Sequence, residues 1–451
     1  MSAANSSYEL IEGLKNLHRG PLLLPDVVKL GESAVPALEA ILRGPSEAIY
    51  HSRCLAADAL GAIGGIAIPA LTRALRDSIT RAPDPVLLEA ESVVANRIAE
   101  HLGKHCTQEV TEALLEALRT RPYPACARAL GRIGDPCAMP LLVECIYDDC
   151  ARQAALEALR QFGREACTAL ATALAKPLLI NGREAPSRID GRAAAARLLG
   201  ELEDENPLPE AKIALRAALN DRQRTVRLEA ALSLARRAGS VSHETVGVLA
   251  MALDEPDWAR ADAIMQALAR LGSAAEEILI TLAAALPFDP GGRRRRMRAA
   301  ALAGQLGTPS AVACLEVLWN DTDRRLRLTA VNALRRIADV RASSLAPYLR
   351  DEEAIIRRCA AVALRDRGAL AFADATILLG DSDPLVRRVA FGALLYGGAT
   401  AQAHLKQVLC TFGSPLRGLV PRTRLWWYAL ECLMALRLTA AHSRARRLHR
   451  P

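Results

Sequence analysis

One pattern recurs three times between residues 320 and 398: NDTDRRLRLTAVNALRRIA, RDEEAIIRRCAAVALRDRG and GDSDPLVRRVAFGALLYGG. In each copy an Asp (Asp321, Asp351, Asp381) stands six residues before an Arg (Arg327, Arg357, Arg387). A Leu follows that Arg (Leu334, Leu364, Leu394), then Ala338, Gly368 or Gly398 eleven positions after it. The register returns every 30 residues. A unit this small cannot bury its own apolar face, so copies must stack, and helical apolar spacing makes each unit a pair of helices. The expected fold is all-α: an α-solenoid, or superhelix, of about a dozen stacked helix pairs.

The composition agrees. Apolar residues make up 51% of the chain but aromatics only 4%, so the core must be built from Ala, Leu, Val and Ile. Such residues favour helix and let helices approach closely. The 11 Cys are scattered without a Cys-x-x-Cys pair, which reads as a reducing compartment. Residues 1–20 lack the basic start and apolar run of a signal peptide, and no apolar run is long enough to span a bilayer. A cytoplasmic protein is expected.

The formal charge of +8 is localised. Residues 292–298 hold Arg293, Arg294, Arg295, Arg296 and Arg298 with no acid, and residues 438–451 hold Arg444, Arg446, Arg447 and Arg450 with no acid. Two basic patches sit on an otherwise balanced body.

Along the chain, residues 1–29 read as an N-terminal cap and residues 30–437 as the repeat array. Loop insertions are expected near 177–190, 287–293 and 411–424, where Pro, Gly and polar residues interrupt the helical pattern. Residues 438–451 read as a basic tail. Arg53 and Arg152 each stand eleven before a Gly (Gly64, Gly163), in register with the regular copies. Asp221 precedes Arg227, and Asp254 precedes Arg260, by six. The pattern slips at Asp289, seven before Arg296.

The regular copies and the ALGRIGD at residues 129–135 resemble the HEAT repeats of the phycobilisome-lyase type. The pattern of that family is D-x-x-x-x-V-R-x-x-A-A-x-A-L-G-x-I-G. The resemblance covers roughly residues 30–437. It implies a turn Asp and a second-helix Arg, with little bearing on function, because such repeats serve in scaffolds, lyase subunits, hydroxylases and DNA-repair proteins. On physical grounds the Asp suits the start of the second helix, and the Arg can bond an Asp of the neighbouring repeat. Asp221–Arg227, Asp254–Arg260, Asp321–Arg327, Asp351–Arg357 and Asp381–Arg387 are therefore expected to form a structural ladder.

Catalytic chemistry finds little support. The phosphate-binding Gly motifs and Gly-x-Ser-x-Gly are absent, and His243-Glu244 is a lone His-Glu dipeptide. His101 and His105 are four apart, but Gly103 should end the helix between them. No metal or cofactor is expected. Trp258 and Trp319 are expected to pack, and Trp426, Trp427 and Tyr428 to close the C-terminal end of the core.

The unusual chemistry is Arg293–Arg296 with Arg298, a basic run at a helix start, against the helix dipole. A bound anion would relieve that conflict, as would acids of the preceding repeat such as Asp254, Glu255 and Asp257. The leading expectation is a non-catalytic scaffold binding a protein partner along a concave face of second helices. The alternatives are electrostatic nucleic-acid binding through the Arg run and the tail, glycosylase-like or not, and more remotely a bilin-lyase-like subunit. No small-molecule ligand is expected.

Overall fold

The computed structural model describes residues 3–403 apart from 46–49, 82–84, 178, 181–182, 203–207, 237–241 and 286–290. The expected basic tail, the loop at 411–424 and the aromatic cluster at 426–428 lie outside the described residues, as does Asp289. Contacts divide the chain into two units, residues 1–248 and 249–451.

The first unit begins with α1 (Ala3–Glu12) and α2 (Gly20–Lys29), and continues as helix pairs. These are α3 (Val35–Leu42) with α4 (His51–Ile63), α5 (Ile68–Thr80) with α6 (Pro85–Leu102), and α7 (Gln108–Thr120) with α8 (Pro124–Ile133). Then come α9 (Met139–Cys145) with α10 (Arg152–Phe162), α11 (Ala166–Ala175) with α12 (Pro186–Leu202), and α13 (Pro209–Ala218) with α14 (Arg224–Ala235). First helices pack on first helices (α3 on α5, α5 on α7, α9 on α11), and second on second (α4 on α6, α6 on α8, α8 on α10, α12 on α14). The result is two parallel layers with an Ala- and Leu-rich core between them.

Helix α15 (His243–Met251) spans the boundary between the units. The second unit holds α16 (Trp258–Leu271), α17 (Ser273–Ala284) with α18 (Gly292–Leu306), and α19 (Pro309–Val317) with α20 (Arg324–Arg336). It continues with α21 (Ala342–Leu345) and α22 (Ala354–Asp366), then α23 (Phe372–Leu379) and α24 (Pro384–Tyr396). Helices α16, α18, α20, α22 and α24 form its second-helix layer. The all-α solenoid expected from the 30-residue period is the architecture found.

Local chemistry explains the helix ends. Pro36, Pro69 and Pro140 stand in the first turn of α3, α5 and α9, where a missing N–H costs nothing. Second helices stop where Gly134 (φ 75°) and Gly307 (φ 64°) adopt the left-handed conformation.

The loop expected near 177–190 is shorter than that. A two-stranded antiparallel ladder, β1 (Leu179–Ile180) with β2 (Arg183–Glu184), occupies its start, and α12 begins at Pro186, a residue suited to a first turn. Likewise α18 begins at Gly292, inside the segment expected as loop at 287–293.

Candidate functional site

The Asp–Arg pairs link successive repeats. In the second unit Arg327 binds Asp351 (Nε–Oδ2 2.7 Å, Nη2–Oδ1 3.1 Å), and Arg357 binds Asp381 (2.7 and 2.8 Å). Each Arg also donates to the backbone carbonyl of its own repeat's Asp: Arg327 to Asp321 at 2.9 Å, Arg357 to Asp351 at 2.7 Å, Arg387 to Asp381 at 2.6 Å. The Asp Oδ1 also accepts the N–H two residues on, at 2.8 Å in Asp321, Asp351 and Asp381. The helix cap itself falls to Asp323 and Asp383. In the first unit Arg227 reaches the Asp221 carbonyl (2.7 Å), while the Asp221 carboxylate accepts from Arg192.

Arg53 and Arg192 extend the ladder with acids from other elements. Arg53 binds Glu91 of α6 (2.5 and 3.0 Å) and the Leu42 carbonyl (2.9 Å), with both side chains buried. Arg192 binds Glu184 of β2 (3.1 and 2.9 Å) and the Leu174 carbonyl (3.0 Å). The inserted hairpin therefore delivers a buried carboxylate to the ladder. Sequence reasoning missed Arg192, Glu184 and Glu91, because the two acids do not lie in the repeat's own turn.

Asp254–Arg260 does not form a ladder pair. Asp257 caps α16, one residue farther from Asp254 than the cap lies from Asp321 in the regular copy. The fourth helical position is then Ala261, and Arg260 is exposed. Asp254 instead accepts from Arg295 (3.0 Å).

The arginine run does not make one basic cluster. Successive helical residues point about 100° apart, so neighbours in sequence part company in space. Arg296 is buried and serves as the ladder Arg of its repeat, bound to Asp321 (2.6 Å) and the Ala283 carbonyl (3.1 Å). Arg298 donates to the carbonyls of Leu253 (2.7 Å) and Glu255 (2.8 Å), and Arg293 pairs with Asp323 (2.8 Å). Arg294 is exposed.

Second helices meet at a shared small-residue register. A Gly eight residues after the ladder position faces a residue six after that position on the next second helix. The pairs are Gly61 with His101, Gly103 with Ala129, Gly131 with Ala158, Gly200 with Ser233, and Gly304 with Ala333. A β-carbon on Gly131 would stand 2.6 Å from both Cα and Cβ of Ala158. The close approach leaves one stripe of each second helix facing away from the core, and these stripes form the candidate binding face.

In the first unit that stripe is cross-linked. Asp58 accepts from Arg97 (2.6 and 2.9 Å) and contacts His101 Nε2 (2.8 Å); Arg97 also meets Glu100 (3.3 Å). Arg160 pairs with Glu201 (2.5 Å) and Arg197 with Glu229 (3.3 Å). Burial pushes the Asp58 carboxyl up, but hydrogen bonds from His101 and Arg97 outweigh it and leave the group below the ordinary carboxylate value.

The second unit differs. On α18, α20, α22 and α24 the stripe carries Arg294, Arg325, Arg336, Arg358 and Arg388, whose side chains have no hydrogen-bond or ion-pair partner among the described residues. Exposed Ile355 and Leu385, with half-buried Leu328, lie among them. Asp366 of the same stripe is taken by Arg365 at 2.7 Å. A hollow of about 200 Å³ opens between α20 and α22, lined by Leu328, Ile355 and Ile356 with Arg324, Arg325 and Glu353.

Other candidate chemistry is not assembled. His101 turns to Asp58, and α6 ends at Leu102, just before Gly103. Among the described residues no group of three His, Cys, Asp or Glu side chains is placed to hold a metal ion, and no helix is long and apolar enough to cross a membrane. Burial pushes the Cys54 thiol up and lifts that of Cys145 to about 12, the reverse of an activated nucleophile. Trp258 and Trp319, expected to pack, are 80% and 44% exposed, because they sit at the start of α16 and in the turn after α19 rather than on a buried stripe.

Comparison by structure finds HEAT-type solenoids at low sequence identity. A mutant of Kap121p superposes with a TM-score of 0.54 at 14% identity, covering 96% of this chain and 52% of the other. Kap121p bound to Ste12p gives 0.53 at 14% identity, covering 96% and 54%. Kap121p bound to RanGTP gives 0.51 at 14% identity, again covering 96% and 54%. The chain thus spans about half the length of these solved structures, and the likeness is one of fold. A search of curated proteins by sequence finds no match. The pattern of the PBS lyase HEAT-like repeat matches residues 52–77, across α4 and α5, and residues 125–148, across α8 and α9. Two segments of the chain thus match the PBS lyase HEAT-like repeat, as expected of a HEAT-like repeat protein.

Proposed function

We propose that this protein is a non-catalytic scaffold that binds a protein partner along the face formed by its second helices. The observation that carries this reading is the alignment of outward stripes on α18, α20, α22 and α24, where Arg side chains without a partner among the described residues alternate with exposed aliphatic ones. A row of equivalent positions on stacked helices suits an extended partner, because each repeat offers the next segment of chain a similar surface. Kap121p, of similar fold, has been solved with Ste12p and with RanGTP, which supports partner binding as a use of such an array. The raised thiols and the contact of His101 with Asp58 support a non-catalytic role.

A photo-crosslinking residue placed at Asn332 or Val362, on the second-helix stripe, tests this in native lysate. Control sites are Val317 and Ile377, exposed on first helices α19 and α23. The expected result is a discrete stoichiometric protein adduct from the second-helix positions alone. Equal labelling from all four sites, or no adduct from Asn332 and Val362, overturns the proposal.

A further inference from the structure

We propose that the stripe on α18, α20, α22 and α24 docks an extended acidic segment of a partner protein, with carboxylate side chains interleaved with aliphatic ones. This rests on the scaffold reading and adds the chemistry of the partner.

The argument starts from the contrast between the two units. In the first, Arg97, Arg160 and Arg197 all find carboxylates on neighbouring second helices. In the second, the same face holds Arg294, Arg325, Arg336, Arg358 and Arg388 without such partners among the described residues. Like charges lined up on adjacent helices repel one another, and a partner bearing carboxylates removes that repulsion while gaining bidentate hydrogen bonds.

The spacing fits an extended chain. Adjacent helices pack about 10 Å apart. A polyproline-type segment advances about 3.1 Å per residue with three residues per turn, so every third side chain returns to the same face after roughly 9 Å. Carboxylates at every third position would meet successive Arg rows, while an intervening aliphatic side chain reaches the hollow lined by Leu328, Ile355 and Ile356. The surface is less suited to nucleic acid. An aliphatic hollow offers no stacking platform for bases.

The test uses the full chain and a fluorescein-labelled peptide of repeated Glu-Pro-Leu triplets, read by anisotropy at low salt. Comparison probes are the Gln-Pro-Leu peptide and an oligothymidylate of matched charge. The acidic peptide is expected to bind, to weaken as salt screens it, and to lose roughly tenfold or more in affinity on combined Arg325→Glu, Arg358→Glu and Arg388→Glu substitution. Arg119→Glu with Arg216→Glu, exposed on first helices α7 and α13, should leave binding unchanged. Equal binding of the Gln peptide, retained affinity in the triple variant, or tighter binding of the oligothymidylate overturns the proposal. Absence of peptide binding alongside adducts at Asn332 and Val362 means that the acidic chemistry is wrong and the scaffold reading stands. Absence of those adducts overturns the scaffold reading itself.

Discussion

Arg327 grips Asp351 of the following repeat through two parallel hydrogen bonds, with 6% and 4% of their side chains exposed. The same Arg donates to the Asp321 carbonyl of its own repeat, so one side chain ties a turn to its neighbour. A buried ion pair of this kind contributes little relative to an apolar pair of the same size, but removing one partner strands the other's charge.

Arg327→Ala is therefore expected to destabilise the protein by about 3 kcal/mol, the cost of leaving Asp351 buried and unpaired. Arg327→Met combined with Asp351→Leu should cost less than Arg327→Ala alone. Chemical denaturation of the three proteins checks the order, and a double variant worse than the single one would refute it.

The ladder also predicts an acid limb to the stability curve. Burial pushes the Asp381 carboxyl up, but hydrogen bonds from Arg357 and from the Asp383 N–H outweigh it and hold the group below its ordinary value. A depressed folded-state value stabilises the fold above the unfolded carboxylate value, about 3.9, and this contribution disappears as pH falls through the lower folded value. Asp381→Asn should flatten the fall in Tm below about pH 4. Unchanged steepness would assign acid sensitivity to other carboxylates.

Within the arginine run, neighbouring residues should behave differently. Arg296→Ala leaves Asp321 without its partner at 2.6 Å and should lower stability by about 3 kcal/mol. Arg294→Ala, at an exposed position, should stay within about 0.5 kcal/mol of the parent. Equal effects in thermal or urea unfolding would contradict the placement of these two side chains.

Gly131→Ala tests the close approach of second helices. Alanine gains about 1 kcal/mol of helix propensity over glycine. Here, however, its methyl would stand 2.6 Å from Ala158 backbone, which cannot rotate away, so a net loss of about 1–3 kcal/mol is expected. Gly247→Ala in α15, with open space around its β-carbon, should instead stabilise by a few tenths to about 1 kcal/mol. Tm shifts of opposite sign are the readout.

The fold was legible in the sequence because the 30-residue register places the same residue types at the same helical positions. Arg327, Arg357 and Arg387 were legible for the same reason. Asp254–Arg260 misled because a single additional residue before the Asp257 cap moves Arg260 off the ladder while preserving the six-residue spacing. Glu184 was hidden because its partnership with Arg192 depends on a hairpin folding back. The candidate face was harder still. Arg358 and Arg365 look alike in sequence, yet Arg365 is satisfied by Asp366 and Arg358 has no such partner among the described residues. Pairing belongs to the three-dimensional arrangement, which composition and spacing do not encode.

The register of Gly61 with His101 has a consequence for how such arrays can be recombined. Elsewhere the facing residue is Ala or Ser, and those repeats are interchangeable in shape at the contact. His101 places an imidazole there, and a β-carbon on Gly61 would stand 2.0 Å from its Nδ1. Helix α4 and the repeat carrying His101 are therefore a matched key and lock: a shuffled array that sets any side chain larger than glycine against His101 must push that imidazole aside, and with it the Asp58–His101 bond.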